Sequence, residues 1–381
     1  MKRLGFACIW EAEPRRTWSY TPWDLREALR RRSDVEIVDI GFDVPSWLKR
    51  VLQLASLRRR AGRWVTPWKY LRIWETAIER ELDRRAVKLK CDAVLQIQDL
   101  GTTSVPSLIY QDFSYDVILD CLEKGSGALR EYFPHLDAVA VDRLRARQTA
   151  IYHRAARLLT MSNFLRDSLI QRTGIEPDKI VTVWPGVSLP IESDGDDVRR
   201  RPRHRLLFVG TSFVVKGGDL VLAALSLLRD KRPEIRLTIV GPARWPLATA
   251  VPEGVDFVGR IDPAELPDFY RGHDLMVLPS RLEGFGKVFV EALSYGLPCI
   301  GRRAFAMPEL IKPGINGDLI ERDDPGDLAA RIQAVLDDDA VYGNCQAAKA
   351  NIRSEFNWDR AAEKVVAATA AAIAERSAHL R

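Results

Sequence analysis

At 381 residues, 46% hydrophobic and 29% charged, the chain is long enough for two domains of ordinary size and too rich in apolar side chains to be disordered. No apolar run approaches the roughly 18 residues of a membrane span, and the run over 4–10, closed by Glu11 and Glu13, is too short for a signal peptide and reads as a first buried strand. The net charge of +5 is local, because residues 47–90 hold 13 Lys and Arg against 4 Asp and Glu and the remainder is net acidic.

Short apolar runs alternate with longer amphipathic segments. Strands are predicted at 4–10, 35–40, 93–97, 108–110, 158–161 and 180–183 in the first half. In the second half they are predicted at 206–209, 236–240, 255–258, 275–278, 299–300 and 318–320. Helical patterns lie between them, as at 219–228, 288–295 and 325–336. This alternation predicts an α/β protein with parallel sheets covered on both faces, and two sets of it predict two doubly wound domains. Between them, 189–203 has little apolar content: Pro190, the acidic run 193–197 and then Arg199, Arg200, Arg201 and Arg203. The predicted organisation is therefore a first domain at 1–188, a linker at 189–203 and a second domain at 204–360. A strong helix former follows from Arg360, and 361–381 is expected to pack back on the first domain.

Several features are read as ordinary. Asp194-Gly195-Asp196 lies in the linker with no strand beside it, so it reads as an exposed acidic stretch rather than a metal site. Cys8, Cys91, Cys121, Cys299 and Cys345 have no paired spacing and read as reduced, mostly buried thiols of a cytoplasmic protein. None of the five His has metal-ligand spacing, and no metal is expected.

Two stretches carry chemistry. The first is 281–293, which follows a predicted strand and opens a helix. There Gly284 and Gly286 flank Phe285, so backbone N–H groups can approach an anion at a helix start. Glu291 has apolar neighbours on that helix, so it must face solvent or have a partner. The second is 208–219, where Lys216 sits in a glycine-rich turn at the carboxyl end of a strand and suits a phosphate as a point charge. It is no P-loop, since Val215 precedes the Lys and Gly217 follows it. A helix cap with a surface Glu, and an exposed turn Lys, are the plainer alternatives.

These motifs carry a resemblance. Glu283 and Glu291 are spaced as Glu-x7-Glu, Gly210 to Gly217 as Gly-x5-Lys-Gly, and 293–298 and 313–317 follow in order. Together they resemble the donor domain of family 4 of the retaining glycosyltransferases (glycosyl transferases group 1, GT-B fold). The first half is similar at 18–22, 155–162 and 184–187. The resemblance implies two Rossmann-like domains facing a central cleft. It also implies hexosyl transfer with retention from a nucleotide-sugar donor, without metal or other cofactor. In that scheme Gly210 and Thr211 open the donor loop, and Lys216 pairs with the diphosphate. The backbone of Gly284, Phe285 and Gly286 faces the same group. Glu283 lies near the donor sugar, and Glu291 holds the ribose hydroxyls. The acceptor would be a saccharide, a lipid-linked sugar or a small molecule.

The chain departs from the family in three places. Thr211 and Ser212 stand where many members have an Arg, which leaves Arg244 or Arg281 to assist Lys216. Residues 11–22 have no glycine where many members have a glycine-rich loop. In place of a His in the first domain, the nearest analogue is Asp112, either a group that positions or deprotonates the acceptor or a turn residue. A catalytically silent sugar-nucleotide binder and an epimerase or hydrolase of the same fold stay open as alternatives. The stretch 47–90 interleaves Trp47, Trp64, Trp68 and Trp74 with Lys and Arg. It reads as a solvated helical face with buried Trp, as an acceptor site, or as a contact with an anionic membrane surface. No nucleic-acid motif accompanies it, and no nucleic-acid partner is expected.

Overall fold

The central strands of both sheets are short apolar runs whose side chains are almost all buried, which suits sheets covered by helices on both faces. The computed structural model describes residues 2–42, 45–60, 63–133, 136–190 and 202–379. The chain divides into two compact units, Met1–Gly186 with Asn357–Arg381, and Val187–Phe356.

The strands of the first unit are β1 (Lys2–Ala7), β2 (Val35–Ile40), β3 (Arg58–Arg60), β4 (Arg63–Val65), β5 (Ala93–Ile97), β6 (Ser107–Gln111), β7 (Arg157–Thr160) and β8 (Ile180–Thr182). Six of them form a parallel sheet in the order β2-β1-β5-β6-β7-β8, with Leu4 between Ile37 and Ala93. The other two, β3 and β4, pair as an antiparallel hairpin. That hairpin is not predicted, because its strands are mostly Arg. The first strand stops at Ala7, short of the predicted Trp10. Trp10 instead stacks on Phe6 at 6.0 Å, and Arg26 lies over Trp10 and Trp23 at 5.3 and 4.5 Å.

The last helix, Trp358–His379, starts before the predicted 360 and belongs to the first unit. Ala361, Ala362, Val365, Ala368 and Ala372 are its buried face. Ion pairs of Asp359 with Arg31 and of Glu375 with Arg157 flank it, and Lys364 donates to the Thr182 carbonyl at 3.0 Å.

The strands of the second unit are β9 (Arg205–Val209), β10 (Arg236–Val240), β11 (Val255–Gly259), β12 (Leu275–Val277), β13 (Cys299–Arg302) and β14 (Gly317–Ile320). All are parallel, in the order β11-β10-β9-β12-β13-β14. Counted within this unit the order is 3-2-1-4-5-6, the doubly wound pattern. Its direction reverses between β9 and β12, and ligands bind such sheets at the carboxyl ends of the strands flanking that point.

Most of the predicted linker, with Asp194 and Asp196, lies outside the described residues. All five cysteines are buried free thiols, and burial pushes Cys8 up to about 12 and Cys121 up to about 11. Among the described residues no helix is long and apolar enough to cross a membrane.

Candidate functional site

The two stretches singled out in the sequence meet at the reversal point of the second sheet. One links β9 to the helix Gly218–Arg229, the other links β12 to the helix Lys287–Ser294. Since β9 and β12 are neighbours, with Leu275 beside Leu206, the two loops leave the sheet side by side. Lys216 Nζ donates to Glu283 Oε2 at 2.7 Å and to the Leu282 carbonyl at 3.3 Å. Ser280 Oγ donates to the same Glu283 oxygen at 3.2 Å. The Lys216 and Glu283 side chains are 19% and 11% exposed, so the pair is shielded yet within reach of solvent. Gly210 follows β9 beside the Lys216 stem, and Thr211 is exposed next to it.

Arg281 fastens the two loops. Its N–H donates to the Val215 carbonyl at 2.9 Å, and its guanidinium reaches the Val214 carbonyl and Asp219 from one side and Asp323 from the other. Burial opposes its charge, but the hydrogen bonds it donates to Asp219 and Asp323 outweigh that and raise its pKa. Asp323 is the counterpart: burial opposes its ionisation, and Arg281 and Arg302 more than offset it and lower its pKa. Arg281 is thus committed to the scaffold. Of the two bases that the sequence leaves to assist Lys216, Arg244 is the one exposed on the loop after β10.

Both loops enter their helices through a left-handed glycine with no side-chain cap. Gly217 has φ +79°, and a Cβ there would lie 2.7 Å from the Pro279 carbonyl oxygen. Gly286 has φ +87°, and a Cβ there would lie 2.7 Å from the Phe289 ring. Uncapped first-turn N–H groups at helix starts are suited to an anion. Gly284 is half-buried in the same turn. The Phe285 ring is buried and packs against Phe356 at 6.0 Å, which leaves only its backbone facing the turn.

Glu291 is no surface residue. It is 7% exposed, and Tyr270 donates to its Oε2 at 3.2 Å. Tyr270 is itself fully buried and stacks on Tyr295 at 5.7 Å. Burial, with Glu291 adding to it, pushes the Tyr270 phenol well above its ordinary range. The sequence gives no sign of this partner, which comes from a separate helix, Leu266–Gly272.

In the first unit Asp112 is half-buried in the turn after β6. The helix that follows is capped by Ser114, whose side chain accepts from Val117 N–H, so Asp112 is not the cap. Trp18, Ser19 and Tyr20 have φ of +44°, +52° and +68°, leading into the helix Thr21–Arg30. The left-handed turn is made there without the glycine that 11–22 lacks. Among the described residues no group of three or more His, Cys, Asp or Glu could hold a metal ion.

Comparison with known proteins shows what the chain resembles. A family model described as glycosyl transferases group 1 matches residues 196–354. The D-inositol 3-phosphate glycosyltransferase 1 of Catenulispora acidiphila is 31% identical over 251 residues, 60% of this chain and 60% of that protein. The match therefore spans less than two thirds of that relative's length. Among solved structures, a sucrose-phosphate synthase from Thermosynechococcus elongatus superposes with a TM-score of 0.68 at 16% identity, covering 96% of this chain and 97% of that one. Anabaena HepE, solved in complex with UDP-glucose, superposes with a TM-score of 0.63 at 15% identity, covering 97% and 100%.

Proposed function

We propose, from the match of residues 196–354 to the glycosyl transferases group 1 family, that this protein is a retaining glycosyltransferase whose second unit holds a nucleotide-sugar donor at the reversal point of its sheet. The observation that carries the proposal is the meeting of Lys216 and Glu283 beside two uncapped helix starts, at the carboxyl ends of adjacent strands.

The chemistry needs a stabilised leaving group. As the bond from the sugar's anomeric carbon to the diphosphate oxygen breaks, negative charge grows on the phosphate. Lys216 and the N–H groups after Gly286 are fixed donors for it. In the free protein Lys216 is held by Glu283. A diphosphate that takes the lysine therefore loosens the glutamate, leaving Ser280 as its hydroxyl partner. The released carboxylate would stand by the oxocarbenium-like carbon, where negative charge helps electrostatically. The acceptor hydroxyl would attack from the face the leaving group vacates. Its proton would pass to the departing phosphate, and no covalent nucleophile is needed. Glu291, oriented by Tyr270, would take the ribose hydroxyls.

The scheme requires no metal. The acceptor would be a saccharide, a lipid-linked sugar or a small molecule, and a cytoplasmic enzyme is the natural setting. The relative's name suggests inositol phosphate as an acceptor to try first.

The test is a thermal-shift series with UDP, GDP, ADP and dTDP sugars in EDTA, on the wild type, Lys216→Ala and Glu291→Ala. Stabilisation by one donor, lost in both variants, supports the proposal. Stabilisation that survives both substitutions, or that needs a divalent ion, contradicts it. A silent binder would show the same stabilisation with no turnover toward any acceptor.

A further inference from the structure

The basic stretch of the first unit has two apolar faces where a surface helix needs one. In the helix Ser46–Ala55, Leu52 is buried and Leu48 half-buried, packed into a cluster with Trp68, Trp74 and Ile78. That face is satisfied, and it accounts for Trp68 and Trp74 as core residues. On the rest of the helix Trp47, Val51 and Leu54 recur at i, i+4 and i+7 and are 65%, 52% and 73% exposed. This is a second stripe at helical spacing, turned to solvent. The β3–β4 hairpin follows directly, and Trp64, 68% exposed, is the cross-strand partner of Arg59. Scattered exposed apolar residues need no explanation, but a stripe joined to an exposed Trp does.

The charge around the stripe is of one sign. Between Asp43 and Glu75 the sequence has eight Lys and Arg and no Asp or Glu. Arg50, which precedes Val51 in the chain, and Arg59, which pairs across the hairpin with Trp64, are both exposed.

We propose that this surface, the outer stripe of the helix Ser46–Ala55 with the β3–β4 hairpin, docks on an anionic lipid bilayer. Trp side chains settle at headgroup depth, the aliphatic stripe enters the acyl boundary, and the arginines meet lipid phosphate. A second copy of the chain is a poor occupant, because two-fold pairing of one patch with itself would oppose like charges. A nucleic acid would use the bases but leaves Val51 and Leu54 without a role. The inference stands apart from the sugar-transfer reading, since it uses none of the residues that reading places at the donor.

The test is co-sedimentation of the full chain with phosphatidylcholine vesicles, with and without phosphatidylglycerol, at low and high salt. The variants are Trp47→Ser with Leu54→Ser, and Arg50→Ala with Arg59→Ala. The wild type is expected on the anionic vesicles only, and less so at high salt. The arginine pair should cost about fivefold in binding per residue, and the apolar pair at least as much. Both variants should keep the wild-type melting temperature and the wild-type response to nucleotide sugars, which separates this outcome from a failure of the donor site. The proposal is overturned by binding that ignores phosphatidylglycerol, by no vesicle binding at all, or by variants that bind like the wild type. It is equally overturned if the substitutions at Trp47 and Leu54 instead dissolve a dimer of the free protein, or if RNA proves to be the ligand lost in the arginine pair.

Discussion

The Lys216–Glu283 pair makes a prediction in which the two partners behave oppositely. Removing one member of a buried ion pair costs about 3–5 kcal/mol, because the other is left uncompensated. Here the side chains are 19% and 11% exposed, so water relieves part of that cost, and Lys216→Met should destabilise the free protein by about 2 kcal/mol. At about 2–4 °C per kcal/mol for a domain of this size, that is a drop of about 4–8 °C in melting temperature. Glu283→Gln keeps the shape and leaves Lys216 its bond to the Leu282 carbonyl, so its cost should be smaller, about 1 kcal/mol. Toward a nucleoside diphosphate the order inverts. Lys216→Met loses the point charge that meets the phosphates. Glu283→Gln no longer makes the ligand compete for that lysine. A part-buried pair worth about 1 kcal/mol corresponds to roughly fivefold tighter binding of the diphosphate to Glu283→Gln. Turnover should still fall in that variant, because the carboxylate is gone from beside the reacting carbon. Titration calorimetry with the diphosphate of the donor selected by the thermal-shift series reads both effects. Weaker binding in Glu283→Gln, of the size seen in Lys216→Met, would refute the exchange of partners.

Other predictions follow from single contacts. Tyr270→Phe deletes the hydroxyl that holds Glu291 and should cost about 1 kcal/mol in stability. If Glu291 serves the nucleotide, the same variant raises the KM for donor with little change in kcat, whereas a purely structural tyrosine leaves KM unchanged. Arg281→Ala unfastens the two loops and leaves Asp219 and Asp323 without their shared guanidinium. Donor stabilisation in a thermal-shift assay should be lost although no donor contact was removed, and retention of it would show the loops hold without the staple. Gly217→Ala should be the more damaging of the two glycine substitutions. Its Cβ meets a rigid backbone oxygen, while that of Gly286→Ala meets only side-chain atoms, the ring of Phe289 nearest. Melting curves of the two variants check the order. Glu81, hydrogen-bonded by Arg84 and then Arg85, has its pKa lowered from 4.5 to about 2. Its contribution to stability is therefore full above pH 4.5 and is lost as pH falls toward 2. Glu81→Gln should flatten that part of the acid limb in a melting-temperature profile, and an unchanged profile would refute the assignment.

The strands of both sheets were legible because most are short apolar runs between polar segments, the pattern of a strand buried on both faces. The hairpin was not, since Arg58–Arg60 has the composition of a solvated loop and no apolar run marks its pairing with Arg63–Val65. The first strand read too long because apolarity does not distinguish a strand residue from Trp10, which serves a stacked cluster with Phe6 and Arg26. At the site, the sequence located the two loops and their glycines. It did not locate the bonds between them, because Lys216 and Glu283 are 67 residues apart and meet only through the strand order. For the same reason Arg281 read as a spare base rather than a fastening, and Tyr270 carried no signal at all.

The most direct measurement is a structure of the protein with a nucleoside diphosphate bound. The account predicts the phosphates within hydrogen-bonding reach of Lys216 Nζ and of the backbone N–H groups following Gly286, with Glu283 turned away from the lysine. A nucleotide bound elsewhere, or phosphates in place with the Lys216–Glu283 pair intact, would contradict it.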